Sequence, residues 1–345
     1  MKSFVILFIA LVFALSASPG GAALPKTTPV PDASPVAAQE AGLLAAAAAG
    51  DDDTVRDLLK QGAQPTILDD KGDTPLHLAV ANGHEKTARL LMEAGADANA
   101  VSEEFGETPL FLAASLGLSK TVERLIEHGA RVDARDRHLQ TPLHMAVYQR
   151  HADVVEILLK NGARVNTGGG LHRITPIMVA SALGSVDLVK TLLRHGAYVN
   201  ARDDLGQTAL YLASYAGNTE VVKILLDAVA DVHPVTETQG QDALMVASAA
   251  GFTDIARMLL EHGAVYDRKD KTGTTALMYA GFNRHAEIVN LMLNRQSITM
   301  RKNEGEEEPQ KPREEGKTGE QREEQNNEQI GEKPPTADGE GESKE

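Results

Sequence analysis

The stretch that decides the fold runs from Thr141 to Asn166 and reads TPLHMAVYQRHADVVEILLKNGARVN. Thr141 has the side-chain oxygen of a helix N-cap, and Pro142 suits the first helical position because its missing N–H would be unbonded there. Apolar residues then recur at helical spacing up to Leu159. Gly162 is placed to end the second helix in a left-handed conformation. The stretch therefore predicts two short antiparallel helices followed by a loop.

Copies of this stretch recur along the chain. A Thr-Pro-Leu-His start, or a close relative of it, begins at Thr74, Thr108, Thr141, Thr175, Thr208, Asp242 and Thr275. These starts are 34, 33, 34, 33, 34 and 33 residues apart, and a degenerate copy with an alanine run at residues 45–49 precedes them. One unit is too small to bury its own apolar face, so the copies must stack. We therefore expect an all-α repeat solenoid of about eight helix-turn-helix units joined by hairpin loops.

The period and the Thr-Pro-Leu-His-x-Ala signature resemble those of the ankyrin-repeat family. The resemblance covers residues 38–300 and implies eight repeats, numbered 1 to 8 in chain order: 38–70, 71–104, 105–137, 138–171, 172–204, 205–238, 239–271 and 272–300. It implies that His77 and His144 of the signature brace neighbouring repeats through hydrogen bonds. It is specific for the fold and indicates little about the partner, because the signature residues are structural.

A longer period of 67 residues underlies the short one. The tripeptide His-Gly-Ala recurs at this spacing, at His128, His195 and His262. The loops that follow Gly95, Gly162 and Val229 are one residue longer than the loops between them. We infer that pairs of repeats were duplicated, and we predict that alternate hairpin loops protrude differently.

Three residues stand where the other repeats carry glycine. Arg150 and Arg284 follow a first helix, and Val229 follows a second helix. A left-handed backbone costs a residue other than glycine about 1 kcal/mol or more. Because valine is also β-branched, we predict a distorted turn at Val229 and a locally unstable sixth repeat.

Composition and motifs argue against most chemistry. The net charge of −15 argues against a nucleic-acid partner, which needs a basic surface. The absence of cysteine excludes disulfides and thiol nucleophiles. No His-Glu-x-x-His or phosphate-binding motif occurs, and Gly168–Gly170 is better interpreted as a hairpin tip. The serines of the first helices (Ser115, Ser181, Ser214 and Ser248) are interpreted as small packing residues. We expect no catalytic, cofactor or metal site, and no enzymatic activity.

Both ends of the chain differ from the repeats. Residues 1–23 combine Lys2, an apolar run at Phe4–Leu15 and a small-residue cleavage site at Gly21–Ala23, with Ala14–Ser16 as a second possible site, which is typical of a secretory signal peptide. We therefore expect a periplasmic or secreted protein, of bacterial origin because no Asn-x-Ser/Thr acceptor occurs, with an uncleaved membrane anchor as the open alternative. Residues 24–37 are expected to form a proline-rich linker. The tail at 301–345 holds 8 basic and 15 acidic residues with little apolar content, which predicts disorder.

The resemblance implies that partners dock on a concave face formed by the first helices and the hairpin tips. On the helices, the variable positions are Leu116, Tyr148, Gln149, Leu183, Tyr215 and Phe282, here called the first-helix row. On the tips they are Asp70, Lys71, Glu104, Arg137, Arg173, Asp204 and Lys269. Tyrosine offers rigid contact area with a polar end, which suits a binding hot spot. The alternative is that the row only covers neighbouring helices.

The function expected from these observations is a non-catalytic module that binds a protein partner outside the cytoplasm, as a monomer that does not span the membrane once the signal is cleaved. A secreted effector that engages a host protein is an alternative with the same chemistry. An enzyme or a small-ligand binder on the same scaffold is a further alternative, and it lacks any convergent polar cluster in the sequence.

Overall fold

In the computed structural model, residues 35–303 are described, with side chains described for residues 36–294. The signal peptide expected at residues 1–23, the linker up to residue 34 and the tail from residue 304 lie outside the described residues. The described part forms sixteen helices and no β-strand. In chain order they are α1 Pro35–Ala49, α2 Asp52–Lys60, α3 Pro75–Ala81, α4 Glu85–Glu93, α5 Pro109–Ser115, α6 Ser119–Glu127, α7 Pro142–Tyr148, α8 Ala152–Lys160, α9 Pro176–Ala182, α10 Val186–Arg194, α11 Ala209–Ala216, α12 Thr219–Asp227, α13 Ala243–Ala250, α14 Thr253–Glu261, α15 Ala276–Phe282 and α16 Ala286–Asn303.

The helices pair into eight repeats, as predicted, but the two terminal boundaries were wrong. Helix α1 begins at Pro35, so residues 35–37 belong to the first helix and not to the linker. Helix α16 continues to Asn303, past residue 300 where the eighth repeat was expected to end, so residues 301–303 are helical. The sequence signal for the start of α1 is Ser34-Pro35, which matches the cap and proline that start the signature helices. Helix α16 extends further because no glycine or proline occurs in it.

Five first helices, α3, α5, α11, α13 and α15, start in the way that the sequence predicts. A side-chain oxygen at the N-cap accepts the N–H of the residue three positions later, for example Phe111 N–H to Thr108 Oγ1 at 3.2 Å and Met245 N–H to Asp242 Oδ1 at 2.9 Å. The fifth residue after the cap is an alanine without any exposed surface in all seven signature repeats: Ala79, Ala113, Ala146, Ala180, Ala213, Ala247 and Ala280. A side chain this small lets neighbouring helices approach closely.

Stacking is regular within the unit that ends at Arg295. From α1 to α13, each first helix packs on its own second helix and on the first helix of the next repeat, and second helices pack on one another from α2 to α14. The core is one continuous row of buried aliphatic side chains that includes Leu76, Leu143 and Leu244, all without exposed surface. Each repeat therefore buries its apolar face against its neighbours.

The seven hairpin tips are joined by a backbone ladder. The tips are residues 69–73, 102–107, 136–140, 169–174, 203–207, 236–241 and 270–274, numbered one to seven here. From the second tip onward, one backbone N–H of each tip donates to a carbonyl of the tip before it, over 2.8–3.1 Å. Examples are Glu103 N–H to Lys71 O and Arg137 N–H to Phe105 O. This ladder fixes the spacing of the tips.

Alternate tips are built differently, which confirms the predicted alternation. In tips one, three, five and seven, an aspartate N–H bonds to the carbonyl four residues later, and its Oδ1 accepts the N–H groups two and four residues later. In tips two, four and six, the closing bond spans five residues, as from Ser102 N–H to Glu107 O. Ser102 and Thr236 then use a hydroxyl oxygen as acceptor in place of a carboxylate.

Val229 keeps a regular left-handed turn with φ of 63°, so the predicted distortion is wrong. Its N–H bonds to Leu226 O at 2.9 Å, as in the repeats with glycine. At the equivalent glycines, such as Gly162, an added Cβ would meet nothing within 4 Å. The valine side chain is accordingly 80% exposed, and only the backbone conformation carries a cost.

Crowding differs at the glycines that follow the first helices. An added Cβ at Gly217 would lie 2.5 Å from the ring of Phe252, which precedes the next second helix. The equivalent residue opposite Arg150 is the small Ser185, and Arg284 follows the last first helix of the array. Arginine with φ of 63° is therefore tolerated at both of these positions.

Replacing Val229 by glycine should stabilise the protein by about 0.5–1 kcal/mol, because the left-handed strain is removed while no buried contact is lost. The reverse change at the matched position, Gly162→Val, should destabilise it by a similar amount. Urea denaturation measures both, and hydrogen exchange over residues 225–240 should slow in Val229→Gly. Wild-type exchange there equal to that of the neighbouring repeats would contradict the predicted local instability.

Gly217→Ala should destabilise the protein more than Gly83→Ala. Both glycines have nearly the same φ, 75° and 74°, but an added Cβ meets Phe252 at Gly217 and nothing within 4 Å at Gly83. The strain of about 1 kcal/mol is common to both, and the clash at Gly217 adds roughly 1–3 kcal/mol. Equal losses in denaturation midpoint for the two variants would show that Phe252 moves aside freely.

Candidate functional site

The signature histidines lie between repeats, as the family resemblance implies. His144 Nε2 is 3.1 Å from the carbonyl of Ile174, and its Nδ1 is 3.2 Å from the N–H of Thr141. A carbonyl can only accept, so Nε2 carries the proton and Nδ1 accepts. Burial lowers the pKa of His144 to about 4, so the ring is neutral near pH 7. His77 makes the same contact with the carbonyl of Glu107 at 3.1 Å.

The first-helix row falls at the carboxyl ends of α5, α7, α9, α11 and α15. Phe282 is 73% exposed, Leu116 is 40% exposed and Gln149 is also exposed. Tyr148, Leu183 and Tyr215 are half-buried and pack against the core. The members of the row are therefore of two kinds, and the three half-buried side chains also cover neighbouring helices.

The two tyrosines of the row differ in their surroundings. Tyr215 lies beside Tyr211, with ring centroids 6.3 Å apart and planes tilted by 31°. Burial raises the pKa of Tyr148 above its usual value. Both rings are held by packing, so they would present a fixed surface to a partner.

All seven predicted tip residues are exposed: Asp70, Lys71, Glu104, Arg137, Arg173, Asp204 and Lys269. Arg173 on the fourth tip lies 4.0 Å from Asp204 on the fifth, which is at the limit of an ion pair. Arg202 pairs with Glu237 on the sixth tip at 3.1 Å. Charges on the later tips thus partly neutralise one another across the ladder.

Two exposed leucines on the tips were missed in the sequence. Leu139 is 51% exposed and Leu171 is 82% exposed, on the third and fourth tips. The bond from Gly170 N–H to His138 O places these tips side by side. Leu139 has φ of 62°, where the other aspartate tips carry Gly72, Gly206 and Gly273. A leucine in the place of these glycines was the available signal, since strained residues are often functional.

A pair of buried carboxyls was also missed. Glu107 ends the second tip and is 4% exposed, and Asp136 begins the third tip and is 5% exposed. Burial and the neighbouring charge of Asp136 raise the pKa of Glu107 to about 8. The equivalent place is glutamine at Gln140, Gln207 and Gln241, aspartate at Asp73, and Ile174 and Thr274 in the two other repeats. Because the position varies in this way, the sequence alone did not single out Glu107.

The other polar residues and the glycine run considered in the sequence analysis make hydrogen bonds within the fold. His128 Nδ1 is 2.8 Å from Arg124 O at the end of α6, and His262 makes the same contact with Met258 O at 2.8 Å. Gly169 pairs with Ile174 in both directions at 2.9 Å, so the glycine run forms a hairpin tip as predicted. Within residues 36–294, no three His, Asp or Glu side chains are grouped closely enough to hold a metal ion. No helix in the described part is long and apolar enough to cross a membrane.

Comparison with known families agrees with this geometry. A family model described as ankyrin repeats in three copies matches residues 43–136, 95–169, 168–235 and 229–303. The chain belongs to the ankyrin-repeat family.

Three curated proteins illustrate how far the similarity to known relatives extends. The chain is 48% identical over 58 residues to GA-binding protein subunit beta-2 of Mus musculus and of Homo sapiens, and to subunit beta-1 of Homo sapiens. The match covers 17% of this chain and 13–14% of those proteins. The chain thus spans only a small part of the relatives that it matches, which supports the repeat fold and not a shared activity.

Replacing His144 by methionine, the residue of the fifth repeat at the same position, should reduce the dependence of stability on pH. The pKa of His144 is lower in the folded state than in the unfolded state, where it is about 6.5. The neutral ring therefore contributes to the free energy of unfolding above pH 6.5, and this contribution is lost as the pH falls toward 4. Between pH 7 and 5 the wild type should lose about 2 kcal/mol more than His144→Met. Urea denaturation at both pH values tests this, and identical losses would rule out the neutral ring.

Proposed function

We propose that this chain is a non-catalytic module that binds one protein partner through the first-helix row and the hairpin tips, outside the cytoplasm. The exposed apolar side chains of Leu116 and Phe282 support the proposal, because they lie on a frame of packed helices. The tip ladder holds the charged tip residues at fixed spacing. A preorganised surface of this kind loses little conformational entropy on binding.

The ankyrin-repeat family generally serves protein–protein interaction, which supports the same proposal. The relatives described above are named as subunits, which fits a fold that associates with another chain. The proposed location is the bacterial periplasm or the medium, and the support for it is the signal-like segment at residues 1–23. In this proposal the module acts as a monomer, and an effector that engages a host protein would use the same surface.

The surface is tested by affinity capture from the periplasmic fraction with tagged full-length protein, followed by mass spectrometry. Leu116→Ala with Phe282→Ala should reduce the yield of the partner by about tenfold, because exposed apolar anchors carry much of the binding energy in interfaces. Tyr148→Ala with Tyr215→Ala should do the same, with Tyr148→Phe as the conservative comparison.

Tyr198→Ala is the matched control. Tyr198 is 68% exposed but lies after α10, away from the row in sequence. Its removal should leave the yield unchanged. A partner retained in full by both double variants, or lost equally with Tyr198→Ala, would refute the row as the binding surface, and thermal denaturation of each variant separates misfolding from lost contact.

A further inference from the structure

Two neighbouring hairpin tips lack the glycine that the other five tips share. Leu139 on the third tip and Arg173 on the fourth tip have φ of 62° and 56°. The same place on the other tips is glycine with φ of 70–84°, at Gly72, Gly106, Gly206, Gly240 and Gly273. Because a left-handed backbone strains most residue types other than glycine, the fold alone would favour glycine at both places. Strain of this kind is often found at functional sites, where the side chain is needed.

The fourth tip has a glycine that leaves room for the side chain of Leu139. On the second tip, a Cβ added to Gly106 would lie 2.8 Å from Arg137 Cγ, which belongs to the second residue of the next tip. The second residue of the fourth tip is Gly170, and its N–H donates to His138 O at 3.0 Å. Gly170 has no side chain that could collide with Leu139. The glycine of the fourth tip thus compensates for the leucine of the third tip.

The third and fourth tips both expose apolar surface. Leu139 is 51% exposed and Leu171 is 82% exposed. Each leucine directly follows one of the two residues that the ladder bond between these tips joins. On the second and sixth tips, the place of Leu171 is taken by the exposed polar residues Glu104 and Thr238. Two exposed leucines on adjacent tips are therefore a property of this pair of tips and not of the repeat.

The same pair of tips carries positive charge. Arg135, which precedes the third tip, is exposed, as are Arg137 and Arg173. Arg173 Nη1 lies 4.0 Å from Asp204 Oδ1, and neither Arg135 nor Arg137 forms an ion pair within residues 36–294. Exposed acids occur on the tips to either side, at Glu104 and Asp204. The basic surface is thus confined to two tips of a protein whose net charge is −15.

Charge and apolar surface together favour one kind of occupant. A second copy of the chain that used the same surface under two-fold symmetry would bring the arginines of both copies together. Residues 304–345 of this chain are acidic, but Ile330 and Ala337 are their only aliphatic residues apart from proline and glycine. A segment of another protein that combines carboxylates with large apolar side chains matches both features.

We propose that the third and fourth tips bind an acidic segment of the protein partner that also carries large apolar side chains. The apolar side chains of the segment cover Leu139 and Leu171. Its carboxylates accept hydrogen bonds from the exposed arginines of the two tips, which are charge-assisted and therefore strong. This inference rests on the proposed function and adds the chemistry of the segment that the tips recognise.

The test begins with a random library of 12-residue peptides displayed on phage, selected on the full-length protein. The selection is repeated on the double variant Leu139→Gly with Leu171→Thr, which carries the residues found at Gly72 and Thr238 and should therefore fold. Peptides enriched by the wild type alone should combine leucine, isoleucine or phenylalanine with at least two aspartates or glutamates. Their affinities are then measured with synthetic peptides by fluorescence anisotropy.

Three variants separate the contributions to binding. Arg137→Asp takes the residue of the first and fifth tips, and it should weaken the selected peptides by at least about tenfold. Leu139→Gly should weaken them by about tenfold and at the same time raise the urea midpoint, because strain is relieved. A leucine with a structural role alone would not give these opposite changes. Leu68→Thr is the matched control, since Leu68 is 54% exposed beside the first tip, and it should leave the affinity unchanged.

Four results would overturn the inference. They are the absence of peptides enriched by the wild type alone, enrichment without acidic residues, affinity that survives Arg137→Asp, and an equal loss with Leu68→Thr. A synthetic peptide of residues 304–320 that binds as tightly as the selected peptides would assign the tips to the tail of this chain. A dimer in sedimentation that Leu171→Thr dissociates would assign them to a second copy.

Failure of this inference is distinguishable from failure of the proposed function. Leu116→Ala with Phe282→Ala should leave the affinity for the selected peptides unchanged, because these residues belong to the first-helix row. Partner capture that depends on the row while no acidic peptide is selected would reject the tip site alone. Selected peptides that bind the tips while capture ignores the row would reject the row alone.

Discussion

The whole structure depends on the contact between one repeat and the next. A single pair of short helices leaves its apolar face open, and only the neighbouring pair can bury it. The buried alanines of the first helices allow the close approach, and the neutral ring of His144 joins Thr141 of its own repeat to Ile174 of the next. Because these bonds cross the same boundary that the core crosses, loss of one repeat exposes polar groups and apolar surface together.

Most of the fold could be predicted because its signals are local. Caps at Thr108 or Asp242, the proline after a cap and the 33–34 residue spacing are all short-range features, and the structure confirms them. The alternation of the tips was predictable for the same reason, since one extra residue must lengthen a loop. The failure at Val229 was not local, because nothing near it in the sequence shows that a Cβ would point into open space. The start of α1 did carry a local signal, since Ser34 and Pro35 match the cap and proline of Thr141 and Pro142. In α16, no glycine or proline marks an end.

The positions of the candidate site residues were predicted better than the exposure of their side chains. Family resemblance indicated which helix positions and tips face outward, but exposure depends on the next repeat. Phe282 is open, whereas Tyr148 and Leu183 are partly covered. Glu107 and Asp136 are far apart in sequence and become neighbours only because adjacent tips are bonded. At the matching place later in the chain, Gln241 donates to the Tyr279 hydroxyl, which in turn donates to Asp270. The comparison shows which hydrogen-bond donors are absent beside Glu107 and Asp136.

The backbone ladder along the tips has a consequence for how such a protein can change over time. Each tip is held by the one before it through a bond such as Lys271 N–H to Gln239 O. The donor is the second residue of its tip and the acceptor is the third residue from the end of the tip before it, in five-residue and six-residue tips alike. A tip that gains one residue therefore keeps both bonds, as does a tip in which a side chain is replaced. The tips can thus diverge in side-chain identity, and by one residue in length, while the spacing of the repeats stays fixed.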